Sequence, residues 1–193
     1  MKTGLYFGSF NPIHIGHLII ANHMVEFTDL DQIWFVISPQ NPLKKKSDLL
    51  QAHHRLEMVH RSIEEFPKIA ASDIEFNLPR PSYTIDTSMV LEEKNPGYKF
   101  CLIMGSDTLT SLKKWKNHEQ ILTHYPIYVY PRLGPQPTIS FTVQGKIYRV
   151  EAPIIEISAS FIRKAIGEGK NVKPLLPKKA WEYLKNNLFY QKN

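Results

Sequence analysis

The stretch Gly8-Ser9-Phe10-Asn11-Pro12-Ile13-His14-Ile15-Gly16-His17 constrains this chain more than any other. It lies between an apolar run, Leu5-Tyr6-Phe7, and Leu18-Ile19-Ile20-Ala21, whose apolar spacing continues through Met24 and Val25. That order reads strand, glycine turn, helix over about residues 16–27. A helix entered through such a turn aims N–H groups and the positive end of its dipole at whatever lies in the turn, which suits a phosphate. His14 and His17 are three residues apart and fall on one face of the first helical turn. Two imidazoles and several amides converging on one anion form an electrostatic clamp for phosphoryl chemistry. The plainer alternative is an ordinary βα turn whose histidines only cap a helix; it leaves both histidines at this spacing unexplained.

Strand and helix signals alternate from there on. Gln32 to Ser38 is a nearly unbroken apolar run of the kind that fills the middle of a parallel sheet. Residues 39–51 read as a polar loop with three lysines, and a helix begins near Ala52 with Leu56, Val59 and Ile63 on one face. Lys68 to Phe76 reads as an interrupted strand and residues 77–82 as a proline-broken loop. Tyr83 to Lys94 is a helix with Ser82 or Thr84 as its cap. Tyr98 to Met104 is a buried strand, two short helices follow at about 107–113 and 117–123, and Ile127 to Tyr130 is a strand. Residues 132–150 carry only an alternating stretch near Ile147. Ile154 to Ile157 reads as the last strand, Ser158 to Glu168 as a helix, and Pro177 to Leu188 as a terminal helix.

This alternation predicts an α/β chain: a doubly wound, mostly parallel sheet with helices on both faces. Residues 1–193 read as one domain, with about 158–193 as its helical C-terminal part. In such sheets ligands bind at the carboxyl ends of the strands. His14 and His17, the lysine loop, Asp107, and Ser158 to Arg163 all directly follow strands.

The net charge of +6 invites a nucleic-acid partner, but Lys44-Lys45-Lys46 has no interleaved aromatics and the other lysine pairs lie far apart. A site for a triphosphate and an anionic co-substrate accounts for the charge equally well, so no nucleic acid is expected. Neither a membrane span nor a signal peptide is legible, and the single Cys101 lies inside an apolar run, as a reduced core thiol would in a cytoplasmic protein. The first βα turn lacks GxGxxG and Gly169-Lys170 fails the P-loop pattern, which argues against a dehydrogenase or a P-loop kinase. His14 and His17 have no nearby acidic or thiolate third ligand, so no protein-held metal is expected. Homo-oligomerisation is left open.

A second element is Glu156-Ile157-Ser158-Ala159-Ser160-Phe161-Ile162-Arg163. A serine-rich helix start with Arg163 one turn in brings hydroxyls, N–H groups and a guanidinium toward one anion. An N-capped amphipathic helix with a surface arginine is the alternative.

The first stretch resembles the (G/S)xFxPxHxGH signature of nucleotidyltransferases that activate small molecules with ATP or CTP, and the second is similar to the ISxTxIR motif paired with it, with Ser160 in place of Thr. Within that superfamily the chain looks like the nicotinate mononucleotide adenylyltransferases over about residues 4–188. Pro81-Ser82-Tyr83-Thr84-Ile85-Asp86-Thr87, Gly105-Ser106-Asp107 with Trp115, and Arg132-Leu133-Gly134 carry the likeness. The family's Pro-Pro-His-Lys is here Pro42-Leu43-Lys44-Lys45, and Leu133 replaces the usual Pro.

The resemblance implies a Rossmann-like fold and adenylyl transfer from ATP to nicotinate mononucleotide, with Mg2+ carried by ATP. It would make His14, His17 and Arg163 catalytic. Gly8, Ser9, Phe10, Gly16, Lys45, Gly105, Asp107, Ser158, Ser160 and Phe161 would bind ATP. Thr84, Ile85, Asp86, Thr87, Trp115 and Arg132 would bind the mononucleotide. Helix capping by Asp107 and plain packing of Trp115 are the alternatives for those two. Nicotinamide mononucleotide or phosphopantetheine as acceptor, a cytidylyltransferase, and a nucleotide-binding regulator are the competing functions.

Overall fold

The computed structural model describes residues 1–40, 49–134 and 146–191. Its elements run β1 (Lys2–Gly8), α1 (Ile15–Phe27), β2 (Gln32–Ile37), α2 (Ala52–Ile63), β3 (Ile69–Ser72), α3 (Thr84–Lys94), β4 (Lys99–Gly105), α4 (Ser106–Thr110), α5 (His118–His124), β5 (Ile127–Tyr130), β6 (Ile147–Arg149), α6 (Ala159–Gly167) and α7 (Lys178–Asn186). The strands form one sheet in the order β3-β2-β1-β4-β5-β6. Every pairing is parallel. This is the doubly wound order, and its direction reverses between β1 and β4, where a crevice opens at the strands' carboxyl ends.

Side chains alternate between two cores because the strand period is two. Tyr6, Phe35, Cys101 and Ile103 point to one face, where α1 supplies Ile20 and Met24, α2 Met58 and Val59, α6 Ile162 and Ala165, and α7 Ala180 and Leu184. Leu5, Val36, Leu102 and Met104 point to the other, under Ile85 and Leu91 of α3 and Ile121 and Leu122 of α5. Cys101 is a free, buried thiol that burial pushes up to about 11, so it is a core residue. Among the described residues no helix is long and apolar enough to cross a membrane.

Three local expectations are corrected. Ile74–Asn77 is a 3-10 turn rather than the rest of a strand. It buries Glu75, whose carboxylate accepts from Ser82 Oγ at 2.7 Å and Thr87 Oγ1 at 2.9 Å. Ser82 is thereby taken up, and Tyr83 occupies the N-cap of α3 without a side-chain cap bond. Residues 154–157 are not a strand either: β6 at Ile147–Arg149 is the last one, and it already pairs with β5. The apolar run beyond it crosses the sheet's carboxyl end, with Ile154 55% exposed and the Ile155 carbonyl accepting from Arg132 Nη1 at 3.1 Å.

Candidate active site

The turn from β1 into α1 is shaped by Phe10. It sits at φ 43°, with a cis peptide bond following Asn11, and its ring is 3% exposed among Tyr6, His17 and Phe35. A Cβ at Gly8 would come within 2.7 Å of that ring, which explains the glycine. Chain entry into α1 then places His14 at the N-cap and His17 three residues on.

The two imidazoles stack, with centroids 3.7 Å apart and planes inclined by 22°. The His14 N–H donates to His17 Nδ1 at 3.2 Å, so the neutral His17 ring carries its proton on Nε2. His14 is 5% exposed, and burial, with a smaller contribution from the Arg132 charge, lowers its pKa to about 4. It is a neutral imidazole at pH 7, and its buried Nδ1 has no hydrogen-bond partner among the described residues. Gly16 lets this ring close on the helix: a Cβ there would lie 3.1 Å from His14 Nδ1 and 2.9 Å from Ile155 Cγ2.

These groups line a cavity of about 450 Å³ together with Gly8, Ser9, Asn11, Arg132, Ser158, Ser160 and Arg163. Its described lining contains two guanidiniums and no carboxylate, which makes it an anion site. Ser158 caps α6, its Oγ accepting from Phe161 N at 3.2 Å. Arg163 donates from Nη1 to the Asn11 carbonyl at 2.8 Å, so the two sequence motifs meet directly.

A second cavity of about 670 Å³ shares Tyr6, Phe7, Gly8, Ser9, Thr108 and Tyr130 with the first. Beyond that common wall it is lined by Thr84 at the start of α3 and by Gly105, Asp107, Trp115 and Lys116. Asp107 is exposed, lies one residue past the start of α4, and is 3.9 Å from Arg132. It is not the N-cap, which is Gly105. Trp115 is half-buried, so it both packs against the second core and faces the cavity.

Most of the expected residues line one cavity or the other, and five take other places. Ile85 is buried in the core, Thr87 anchors α3 to Glu75, and Asp86 pairs with Lys116 at 2.8 Å, so these act by holding the helix start. Phe161 is 58% exposed and outside the cavity lining. Arg132 lies in the histidine cavity instead of the Trp115 cavity. Lys45 falls outside the described residues.

Sequence reasoning missed Arg55. It is 0% exposed and donates to the carbonyls of Leu50, Ser9, Ser38 and Pro39, tying together the loops after β1 and β2 and the approach to α2. A charged residue in register with Met58, Val59 and Ser62 on the inner stripe of α2 was the signal.

A pocket whose described lining holds two guanidiniums and no carboxylate, sharing a wall with a partly aromatic one at the switch point of a parallel sheet, fits a nucleotidyltransferase. The sequence model for the cytidylyltransferase-like family matches residues 5–165, and the chain belongs to that family. Similar relatives narrow the likeness. A probable nicotinate-nucleotide adenylyltransferase of Flavobacterium johnsoniae is 58% identical over 193 residues, covering 100% of both chains. One of Cytophaga hutchinsonii is 51% identical over 98% of both. The Plasmodium falciparum nicotinic acid mononucleotide adenylyltransferase, solved in complex with NaAD, shares the fold with a TM-score of 0.82 at 22% identity over 98% of this chain and 97% of that one.

Proposed function

We propose that this chain transfers the adenylyl group of ATP to nicotinate mononucleotide in the cytoplasm, giving nicotinate adenine dinucleotide and pyrophosphate. The observation that carries the reading is the common wall between the two cavities, which lets a triphosphate in one meet a mononucleotide phosphate from the other. An acceptor phosphate is anionic near neutral pH, so its oxygen can attack the α-phosphorus without a protein base. A P–O bond to the acceptor forms, the α–β bridge breaks, and pyrophosphate leaves with the electron pair. Catalysis is then positioning and charge stabilisation.

Within this reading His17 Nε2–H and neutral His14 donate to the transferring phosphoryl oxygens. The N–H groups of Ile15 and Gly16, in the first turn of α1, point the same way. Arg163 holds the departing phosphates, and Ser158 and Ser160 present hydroxyls beside it. Trp115 offers a ring face to the pyridine, and the first-turn N–H groups of α3, uncapped by any side chain, take the carboxylate.

Mg2+ would arrive on the triphosphate. Among the described residues no three His, Cys, Asp or Glu side chains converge to hold a metal. When bound, it neutralises phosphate charge. The test is pyrophosphate release from ATP and Mg2+ with nicotinate mononucleotide, nicotinamide mononucleotide and phosphopantetheine as separate acceptors. Release that is fastest with phosphopantetheine, or absent with all three, overturns the assignment.

A further inference from the structure

Arg163 needs a fixed position to serve a triphosphate, and the carbonyl it binds belongs to Asn11, in the same turn as the histidines. Asn11 is 4% exposed, and its side chain is held as well as its backbone. The Leu50 N–H donates to Asn11 Oδ1 at 3.3 Å. The Tyr190 hydroxyl donates to the same oxygen at 2.6 Å, across 179 residues of sequence.

Tyr190 reaches that point because the chain doubles back after α7. Leu188 and Tyr190 adopt φ of 55° and 63°, left-handed values that cost a non-glycine residue and persist only where surrounding contacts impose them. Those contacts are visible. The Phe189 ring centroid lies 4.7 Å from that of His54 and 5.9 Å from that of Tyr183, and Tyr183 Oη is 2.9 Å from His54 Nδ1. An aromatic anchor on α2 and α7 would be enough to seat the segment. Delivery of a hydroxyl to Asn11 is an additional feature that packing alone does not require. Burial pushes the Tyr190 phenol well above the ordinary tyrosine range, so the hydroxyl stays protonated and donates throughout the physiological pH range.

We propose that Tyr190 is a positioning residue for the triphosphate site: by fixing the Asn11 side chain it holds the Asn11 carbonyl where Arg163 binds, and so sets the place of the guanidinium. It touches no substrate, and the inference rests on reading the first cavity as the ATP site.

The test is a double-mutant cycle of Tyr190→Phe and Arg163→Ala, read as the dissociation constant of a non-hydrolysable ATP analogue and as KM and kcat for ATP. Loss of one buried hydrogen bond should raise Kd and KM about three- to ten-fold, move kcat less, and leave the protein folded with Tm lowered by only a few degrees. In the Arg163→Ala background Tyr190→Phe should add nothing, because the group it positions is gone. The same fold-change on both backgrounds, or an unchanged Kd for Tyr190→Phe, would overturn the proposal and reduce Tyr190 to packing. Failure of the proposed function is distinguishable. A wild type that binds the analogue but releases no pyrophosphate with nicotinate mononucleotide overturns the acceptor assignment and leaves the cycle decisive for Tyr190. A wild type that binds no analogue overturns both.

Discussion

Gly16→Ala separates what the turn does for stability from what it does for chemistry. Gly16 is buried in the first turn of α1, and an added methyl would lie 2.9 Å from Ile155 Cγ2, 3.1 Å from His14 Nδ1 and 3.2 Å from His14 Cε1. All three are too close, so the Ile155 side chain must shift and the His14 ring must give by a few tenths of an ångström. Overpacking of this kind costs about 1–3 kcal/mol. Alanine in place of glycine returns about 1 kcal/mol of helix propensity. The net loss is about 0–2 kcal/mol, a fall in Tm of under about 8 °C for a chain of this size. Rate is more sensitive, because the displaced ring belongs to the proposed phosphate clamp, and misplacement by about 1 Å can cost on the order of 100-fold. We expect kcat to fall about 10- to 100-fold in a protein that melts only slightly earlier. The assay pairs continuous pyrophosphate detection at saturating ATP with differential scanning calorimetry. A variant with kcat within two-fold of wild type would refute the packing argument and detach the His14 position from catalysis.

Three further outcomes follow from the same geometry. His17→Ala removes a donor used mainly on transition-state charge, so kcat should fall on the order of 10²–10³ with ATP affinity within a few-fold; near-normal turnover of the folded variant removes His17 from the mechanism. His14 is buried neutral with its pKa lowered from 6.5 to about 4, so below pH 6.5 the unfolded chain takes up its proton first. Stability should therefore drop by about 3 kcal/mol between pH 6.5 and 4 and then level off; urea melts across that range should show the drop in wild type and not in His14→Gln. Nicotinamide mononucleotide should be used on the order of 10²–10⁴ less efficiently in kcat/KM than the nicotinate form, since an amide leaves one α3 donor unpaired and loses charge assistance on another. Equal rates in a side-by-side assay would remove the α3 start from the acceptor site.

The sequence was most legible where one physical constraint acted alone. Hydrophobic runs gave five of the six strands and both faces of the sheet, because buried parallel strands need apolar residues along their whole length. Ile154 to Ile157 misled for the same reason: an apolar run that covers a cavity mouth has the composition of a buried strand, and only β6, which already pairs with β5, distinguishes them. The histidine turn and the Ser158 cap were readable because their chemistry is local. Tyr190 on Asn11 and Arg55 under four carbonyls were not, since each contact joins residues distant in sequence and no local pattern encodes the partner. Thr87 fell between the two: its place at a helix start was legible, but its use as an anchor for Glu75 depends on a turn that the sequence had suggested was strand.

Why both substrates meet at this point follows from the strand order. With β1 and β4 adjacent and their crossovers leaving in opposite directions, the turn into α1 and the turn into α4 open into one crevice although about ninety residues separate them. Gly8 and Ser9 come from the first and Thr108 from the second, and all three belong to the wall both cavities share, above the buried Tyr6–Tyr130 hydroxyl pair at 2.9 Å. A bond exchanged between the two ligands has to lie over that wall. Arg55 then has a role beyond stability. A fully buried guanidinium bound to the Ser9, Ser38 and Pro39 carbonyls fixes the histidine turn relative to the β2 loop. Burial, partly offset by Tyr190, lowers its pKa to about 10, still above physiological pH, so the charge stays under the histidine turn and would add to the positive potential at the proposed phosphate cavity.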